Sequence, residues 1–317
     1  MSVLAAGKPP LIVVAGATAT GKTEFAIRLA EAIERDGRPV AVISADSRQV
    51  FRGLDIGTAK ASAIDRARVP HHGLDLVDPD EAFSVADFAG HARDVLADLA
   101  GSGGVAVLVG GTGLYIRAVG RGLDTAALPY DPVVRGRLEA QLSADGLEAM
   151  AERLRTVAPR LAARIDLRNP RRVVRALEMA EVGGDVPPPM PHGYSGRSVW
   201  LGLTVEPTAL EARIVTRATA QFEAGLIEEA RGLRERFDPR LPAFSAIGYR
   251  ESWAVIDGAL TRERAIELDA RRNVAFARRQ RTWFRSEPGI TWLDATSRPA
   301  LAPAIELARQ VIEPRPA

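Results

Sequence analysis

The clearest chemical pattern in the sequence is a glycine-rich segment near its start, which fits G-x-x-x-x-G-K-[ST]. The segment consists, in order, of Gly16, Ala17, Thr18, Ala19, Thr20, Gly21, Lys22 and Thr23. In such a loop the glycines let backbone N–H groups point inward around an anion, the lysine adds a positive charge, and the final hydroxyl can ligate Mg²⁺. The pattern therefore predicts binding of a diphosphate or a triphosphate. It does not by itself predict ATP hydrolysis.

A carboxylate that could handle a proton or a metal ion follows the second predicted strand. Asp46 begins a polar cluster that continues through Ser47, Arg48 and Gln49. Because ligands of an open parallel sheet bind at the carboxyl ends of its strands, we expect Asp46 to lie near the phosphate loop. An Asp after a strand is also a common helix N-cap, so the local sequence leaves both interpretations open.

The third apolar run has no such carboxylate, since residues 110–113 after it read Gly-Gly-Thr-Gly. An ATPase normally carries an acidic magnesium ligand at the end of a further strand. Asp46 is therefore the one candidate for that role, and a phosphoryl-transfer enzyme in which it binds metal or receives a hydroxyl proton stays open.

Arginines are concentrated in one stretch of the chain. Of the 42 basic residues 39 are arginines, and eight of these lie in residues 262–285. The same stretch contains only three acids, Glu263, Glu267 and Asp269, and it contains the aromatic residues Phe276, Trp283 and Phe284. Guanidinium groups bind phosphates and stack on bases, and aromatic faces accept splayed bases, so the stretch suits an RNA. An amphipathic helix with a solvated face is the alternative.

A second pair of arginines has helical spacing. Arg213 and Arg217 are four residues apart and so share one helical face. A solvated basic face and an anion-binding face are both compatible with this spacing.

The elements that must position these residues follow from the hydrophobic pattern. Short apolar runs at 11–15, 40–44, 104–109, 198–205 and 289–293 predict five strands, and helical spacing separates them, beginning with residues 23–33. This alternation predicts a parallel sheet covered by helices on both faces. The predicted fold class is α/β.

A helical segment interrupts the predicted sheet. Residues 119–197 contain no strand-like run but show helical patterns at 132–141, 146–157 and 169–182, followed by a proline-rich stretch at 186–191. We predict a core formed by residues 1–118 and 198–317, and an all-helical insertion domain formed by residues 119–197.

Composition excludes several protein classes. The chain has 317 residues, of which 46% are hydrophobic and 26% are charged, which is typical of a globular protein. It has no cysteine, which excludes disulfides, a thiolate nucleophile and cysteine-ligated metal sites. The apolar runs are far shorter than the roughly 20 residues that span a bilayer, and residues 1–10 lack a signal-peptide pattern. We expect a cytoplasmic protein with no membrane partner.

Six segments in one order closely resemble the tRNA dimethylallyltransferases, also called tRNA isopentenyltransferases. Besides the phosphate loop, they are residues 43–60, 110–115, 169–178, 245–250 and 278–285. The resemblance runs from about residue 11 to residue 294. Six matches in one order are highly specific, whereas the phosphate loop alone is widely shared.

The resemblance implies transfer of a dimethylallyl group from dimethylallyl diphosphate to N6 of adenosine 37, beside the anticodon, in tRNAs that read codons beginning with U. It implies a P-loop NTPase-like sheet with an inserted helical domain, in agreement with the pattern above. The expected partners are the anticodon stem-loop of tRNA and dimethylallyl diphosphate, the expected cofactor is Mg²⁺ held with Thr23, and the expected state is a monomer. Because enzymes that act on a base take it out of the stack, we expect a channel between core and insertion.

The resemblance also implies roles for individual residues. Asp46 resembles the general base of the family, and Lys22, Thr23 and Arg217 join it as catalytic residues. Residues 16–23 and the face that carries Arg213 and Arg217 would bind the diphosphate, with Arg217 favoured for the direct contact.

The residues that the resemblance assigns to tRNA contacts are spread over the chain. They include Asp46, Ser47, Arg48, Gln49, Thr112 and Arg135. The inserted segment adds Arg171, Arg172, Val173, Val174 and Arg175. The later segments add Ser245, Ala246, Ile247, Gly248, Tyr249, Arg250, Arg278, Arg279, Gln280, Arg281, Thr282, Trp283, Phe284 and Arg285.

The departures from the family pattern are few. Ala17 and Thr20 stand where the family usually has Pro and Ser, and Phe51 stands in place of Tyr. The pair at 71–72 is His-His, for which we expect a structural role, since adjacent residues of a strand cannot both face one ion.

Two other functions compete with this interpretation. A small-molecule kinase, or an adenylate prenyltransferase that uses free nucleotide, would not need the arginine-rich stretch. A nucleotide-gated RNA-binding protein would not need Asp46.

Overall fold

A computed structural model describes residues 7–125, 128–297 and 301–313. In these ranges six strands form one sheet: β1 (Leu11–Gly16), β2 (Val40–Ala45), β3 (His71–His72), β4 (Val105–Gly110), β5 (Ser198–Thr204) and β6 (Ile290–Asp294). The strand order is β3-β2-β4-β1-β5-β6, and every neighbouring pair is parallel. The parallel sheet predicted from the five apolar runs is confirmed. The sixth strand, β3, was not predicted, because the two-residue His71–His72 pair is too short for a hydrophobic pattern.

Helices cover the sheet and form the inserted segment. They are α1 (Lys22–Arg35), α2 (Ala63–Arg68), α3 (Val85–Gly101), α4 (Gly113–Gly120), α5 (Pro132–Val157), α6 (Pro159–Ala162), α7 (Pro170–Gly183), α8 (Pro207–Glu223), α9 (Leu226–Arg236), α10 (Tyr249–Ile256), α11 (Arg262–Arg285) and α12 (Leu301–Ile312), with a 3₁₀ helix at Pro242–Ser245. Among the helices described, none combines the length and the apolar character that crossing a bilayer requires.

The central strands are apolar throughout because both faces of the sheet are buried. In β1, Leu11 and Val13 pack into one hydrophobic core and Ile12 and Val14 into another. Side chains of α3, α4, α9 and α10 complete the first core, and those of α1, α8 and α12 complete the second. Side chains along the central strands are therefore used for packing, and the polar residues that could bind a ligand lie in the loops after the strands.

The chain divides into two units, one of residues 1–122 with 193–317 and one of residues 123–192. The sequence placed these boundaries at 119 and 197. The first predicted boundary falls inside α4, which ends at Gly120 and packs in the core of the sheet unit. The sequence does not show that α4 belongs to the sheet unit, because its helical pattern is followed directly by the helical patterns of the insertion.

The second unit is helical and has its own hydrophobic core. Its longest helix, α5, is broken at Gly146, whose φ of 81° and ψ of 168° are not helical, so the two helical patterns at 132–141 and 146–157 correspond to its two halves. Leu138, Leu154 and Leu177 are fully buried in this core. The unit therefore has the apolar packing that an independently structured insertion needs.

A buried carboxylate holds the second unit together. Glu178 in α7 is fully buried and accepts hydrogen bonds from the Asp131 N–H at 3.0 Å, from Arg175 at 2.6 Å and from Arg135. Burial alone would raise the pKa of Glu178, but the hydrogen bonds from Arg135, Arg175 and the Asp131 backbone lower it. The carboxylate is thus charged and fully paired.

We expect Glu178→Ala to destabilise this unit by about 3 to 5 kcal/mol, because it leaves two guanidinium groups without their buried partner. Glu181→Ala on the same helix is the matched control. The Glu181 side chain is 23% exposed against 0% for Glu178, so we expect a loss of less than about 1 kcal/mol. Hydrogen exchange of the α7 amides measures both, and equal effects would contradict the role given to Glu178.

Candidate active site

Two side chains of the phosphate loop donate hydrogen bonds to the backbone carbonyl of Ala17. The Thr20 hydroxyl donates to that oxygen at 2.9 Å, and Lys22 Nζ donates to it at 2.5 Å. Ala19 and Gly21 have positive φ values of 61° and 84°, which turn the chain into the first residue of α1. The loop thus presents the N-terminal end of a 14-residue helix to its own centre. This geometry favours an anion, because helix N–H groups and the helix dipole both point there.

Two positive charges meet at this loop. Arg217 of α8 donates from Nη1 to the Thr18 hydroxyl at 2.7 Å, next to Lys22. Burial, together with the charge of Arg217, lowers the pKa of Lys22 from 10.5 to about 7, and Asp46 opposes this shift. Burial also lowers the pKa of Arg217, while Asp269 and Asp46 raise it. A bound anion would relieve the cost of burying both cations.

The other arginine of the predicted pair lies elsewhere. Arg213 donates from Nη2 to the carbonyl of Thr296, after β6, at 2.8 Å. The structure therefore brings Arg217 to the phosphate loop and directs Arg213 away from it.

Asp46 lies in the loop after β2 and is not a helix N-cap. The next helix, α2, begins at residue 63 and is capped by Ser62. One oxygen of Asp46, Oδ1, instead accepts the N–H of Arg48 at 2.8 Å, which makes a local turn. Since Asp46 also influences the pKa of both Lys22 and Arg217, its carboxylate lies in the electrostatic field of the phosphate loop.

The loops after β2 and β4 are tied together. The Ser47 N–H donates to Thr112 Oγ1 at 3.0 Å, and the Thr112 N–H donates to the carbonyl of Ala45 at 3.1 Å. Gln49 accepts from Ser44 Oγ at 2.7 Å. These bonds fix the position of Asp46 from both sides.

Thr23 is the exposed hydroxyl at the beginning of α1, where the predicted Mg²⁺ would bind. In the part of the chain that the structure describes, no three His, Cys, Asp or Glu side chains are grouped so as to hold a metal ion. Mg²⁺ keeps several waters and binds through one or two protein oxygens plus substrate phosphates. The Thr23 hydroxyl and the Asp46 carboxylate, which acts electrostatically on Lys22, are hard oxygen donors of the kind that such an ion binds.

The helix α11 places polar side chains on the buried side of the site. Asp269, Asn273 and Gln280 are 1%, 7% and 7% exposed. Asn273 donates to Asp269 Oδ1 at 2.7 Å, and burial raises the pKa of Asp269 to about 6. From the sequence, Asp269 is only one of three acids in its stretch, and Asn273 is not predicted as a site residue. These three residues are spaced by four and then seven positions, so they lie on one face of the helix. On the buried face of an amphipathic helix apolar residues are expected, and polar residues at these positions are the sequence feature that could have identified them.

A half-buried connection through Glu229 was not predicted from the sequence. Glu229 of α9 accepts the backbone N–H groups of Ile56 at 2.8 Å and Gly57 at 3.2 Å, and the Tyr249 hydroxyl at 2.7 Å. It thereby fixes part of the segment 43–60 to α10. Nothing local in the sequence distinguishes Glu229 from the exposed acids of its helix.

The side chains predicted to contact tRNA fall into two groups. Those that are exposed or half-buried include Arg171, Arg172, Ser245, Ile247, Arg250, Arg278, Arg279, Arg281, Thr282, Trp283 and Arg285. Those that are buried are Val173, Val174, Ala246, Gly248, Tyr249, Gln280 and Phe284. The residues of the second group pack inside the protein within segments predicted to contact tRNA. The assignment of these segments to tRNA stays a prediction.

Arg135 and Arg175 have a structural role besides the predicted contact with tRNA. Both guanidinium groups are engaged by buried Glu178, so their first role is to pair this carboxylate. Each side chain remains about 30% exposed.

Trp283 lies beside the glycine-rich loop after β4. A Cβ at Gly113 would collide with its indole ring, and the guanidinium of Arg117 lies 4.7 Å from the ring centre. Arg117 is also paired with Glu287, whose side chain is 2% exposed. The result is a fixed, half-exposed aromatic face at the end of β4.

Comparison with known proteins identifies the family. The sequence model described as IPP transferase matches residues 49–287. The chain belongs to this family. It is 46% identical over 281 residues to a tRNA dimethylallyltransferase of Thermus thermophilus, covering 87% of this chain and 90% of the relative. It is 42% identical to a tRNA dimethylallyltransferase of Kineococcus radiotolerans, covering 97% of both chains.

Solved structures of family members share the fold. A full-length tRNA isopentenylpyrophosphate transferase of Bacillus halodurans has a TM-score of 0.68 at 38% identity, covering 96% of each chain. A eukaryotic dimethylallyltransferase, whose structures show it acting on tRNA, has a TM-score of 0.75 at 24% identity, covering 91% of this chain and 74% of the other. The P-loop NTPase-like α/β fold predicted from the sequence is thus confirmed.

The lowered pKa of Lys22 predicts a pH dependence. Lys22 is charged below about pH 7 and loses its charge above it in the empty loop. We therefore expect the affinity for inorganic pyrophosphate, measured by calorimetry, to fall by up to about tenfold per pH unit above this value. Lys22→Arg keeps the charge, and comparing the two proteins cancels the titration of pyrophosphate itself. Parallel pH profiles for the two proteins would show that Lys22 does not titrate there.

The different positions of the two α8 arginines predict different effects. We expect Arg217→Ala to weaken pyrophosphate binding by about 10 to 100-fold, because a charged donor at the loop is lost. Arg213→Ala should change it by less than about threefold, since Arg213 bonds to Thr296. Titration of both variants tests this, and a larger effect at Arg213 would refute the assignment.

Proposed function

We propose that the protein transfers the dimethylallyl group from dimethylallyl diphosphate to N6 of adenosine 37 in tRNAs that read codons beginning with U, and releases diphosphate. The observation that carries this proposal is that the carboxylate of Asp46 lies in the electrostatic field of a cationic phosphate loop, in a chain of the IPP transferase family. The relatives named as tRNA dimethylallyltransferases support it.

The phosphate loop stabilises the leaving group. As the allylic carbon–oxygen bond breaks, its electron pair leaves with the diphosphate, whose negative charge grows. Lys22, Arg217 and the inward N–H groups of the loop meet this charge, so they stabilise the transition state more than the ground state. Because these donors are already in place, little reorganisation is required.

Asp46 receives the proton of the amine. The N6 lone pair of adenine is delocalised into the ring, which makes the amine a weak nucleophile. As nitrogen bonds to the allylic carbon, a carboxylate can take one N6 proton and later pass it to water. The turn with Arg48 and the bond between Ser47 and Thr112 hold the carboxylate in one orientation.

When bound, Mg²⁺ supplies positive charge to the diphosphate oxygens. Thr23 and Asp46 supply the hard oxygen atoms that would hold it. In this proposal the Thr23 hydroxyl would ligate the metal, and Lys22 and Arg217 would contact the diphosphate.

The exposed arginines of α11 and α7 would bind the RNA backbone. Arg278, Arg279 and Arg285 lie on the exposed part of α11, and Arg171 and Arg172 lie on α7. Trp283 would supply a stacking face for a base, supported by its fixed position beside Arg117. We propose the anticodon stem-loop as the RNA element bound, by a monomer acting in the cytoplasm.

The test is transfer of label from radiolabelled dimethylallyl diphosphate, with Mg²⁺, to tRNA or to AMP. We expect transfer to tRNA alone. Transfer to AMP but not to tRNA would favour an adenylate prenyltransferase. In a repeat of the assay with ATP, phosphoryl transfer to a small molecule would favour a kinase.

In the same assay we expect Asp46→Asn to lower kcat by roughly 10² to 10⁴-fold with a small change in the KM for dimethylallyl diphosphate. Asp55→Asn is the matched control, because Asp55 is an exposed acid of the same segment that pairs with Lys60 at 2.7 Å. Full turnover by Asp46→Asn would show that another group accepts the proton.

A further inference from the structure

The side-chain amide of Gln280 connects α11 to two loops of the site. Its Oε1 accepts the backbone N–H of Thr18 in the phosphate loop at 2.8 Å. Its Nε2 donates to the carbonyl of Gly111, after β4, at 2.9 Å. The oxygen and the nitrogen of the amide are therefore both hydrogen-bonded. Both partners are backbone groups, so the contacts depend on the position of Gln280 and not on the side chains of the two loops.

The amide is held in a narrow space. A Cβ added at Gly111 would collide with Gln280 Nε2. The φ of Gly111 is not among the positive values, so the need for glycine here comes from the close approach of Gln280. The side chain is also 7% exposed, which leaves its amide without water as an alternative partner.

Thr18 is held from two directions. Its backbone N–H is fixed by Gln280, and its hydroxyl accepts from Arg217 at 2.7 Å. Because Gln280 fixes the peptide plane of Thr18, it also fixes the point at which Arg217 approaches the loop. Loss of the Gln280 bond would leave a buried N–H without a partner and would let the loop seek another conformation.

We propose that Gln280 is a positioning residue for diphosphate binding, which keeps the phosphate loop in its anion-binding conformation before the ligand arrives. Its segment resembles an RNA-contacting one, but its own side chain acts on the other substrate. The identity of that substrate as dimethylallyl diphosphate depends on the proposed function, whereas the effect on pyrophosphate does not.

The first variant is Gln280→Met, which has a similar length but no amide. We expect the Kd for pyrophosphate and the KM for dimethylallyl diphosphate to rise about tenfold, with the KM for tRNA within about twofold of the wild-type value. If Gln280 contacted RNA instead, the substitution would raise the KM for tRNA and leave the KM for dimethylallyl diphosphate unchanged. A residue that only supports the fold would lower Tm and leave both constants unchanged.

The second variant is Gly111→Ala, which displaces the amide from the opposite side while leaving Gln280 in place. We expect the same rise in the Kd for pyrophosphate, and no further rise in the double variant, because both substitutions remove one interaction. Gln141→Met is the matched control, since Gln141 accepts from Arg153 at 2.8 Å in the other unit, and its pyrophosphate affinity should equal that of the wild type.

Pyrophosphate binding within twofold of the wild type in either folded variant would overturn the proposal. If the wild-type protein binds pyrophosphate but transfers no label to tRNA, the proposed function fails. The comparison of pyrophosphate affinities would still decide the role of Gln280.

Discussion

The site depends on one electrostatic constraint, which is that two cations lie close together at the phosphate loop without an adjacent carboxylate bonded to either. Lys22 bonds to the Ala17 carbonyl and Arg217 to the Thr18 hydroxyl, so both are satisfied by neutral oxygens. Their charges consequently remain available to a ligand. A carboxylate paired directly with either would have neutralised the site, whereas Asp46 and Asp269 act on it through space.

Contacts of buried and half-buried polar side chains hold this arrangement in place. Gln280, Glu229 and Asp269 each lie in a helix and reach a loop or a charged group that belongs to the site. Burying such groups is costly unless they are fully bonded, so they restrict the protein to few arrangements of its loops. In the second unit, Glu178 has the same function of fixing structure by bonding to neighbouring backbone and guanidinium groups.

The sequence was sufficient for the features that rest on local pattern. The continuous apolar runs identified the strands of a sheet buried on both faces, and the phosphate loop and Asp46 followed from their positions after strands. The sequence was not sufficient to predict contacts between residues that lie far apart in the chain. Thr18 and Gln280 are 262 residues apart, and no local spacing states that they bond. Similarly, no local pattern predicts that Arg135 and Arg175 pair with Glu178, because Arg135 is 43 residues away from this buried acid.

The way the chain enters and leaves the helical insertion has a consequence for how the protein can vary. The N–H of Gly193 donates to the carbonyl of Arg121 at 2.8 Å, so the residues of the sheet unit that flank the inserted segment are joined by a backbone hydrogen bond. A segment whose ends already touch places no tension on the strands before and after it. Helices could therefore be lengthened, shortened or exchanged within residues 123–192 during evolution or in engineering, while the register of the sheet stays as it is.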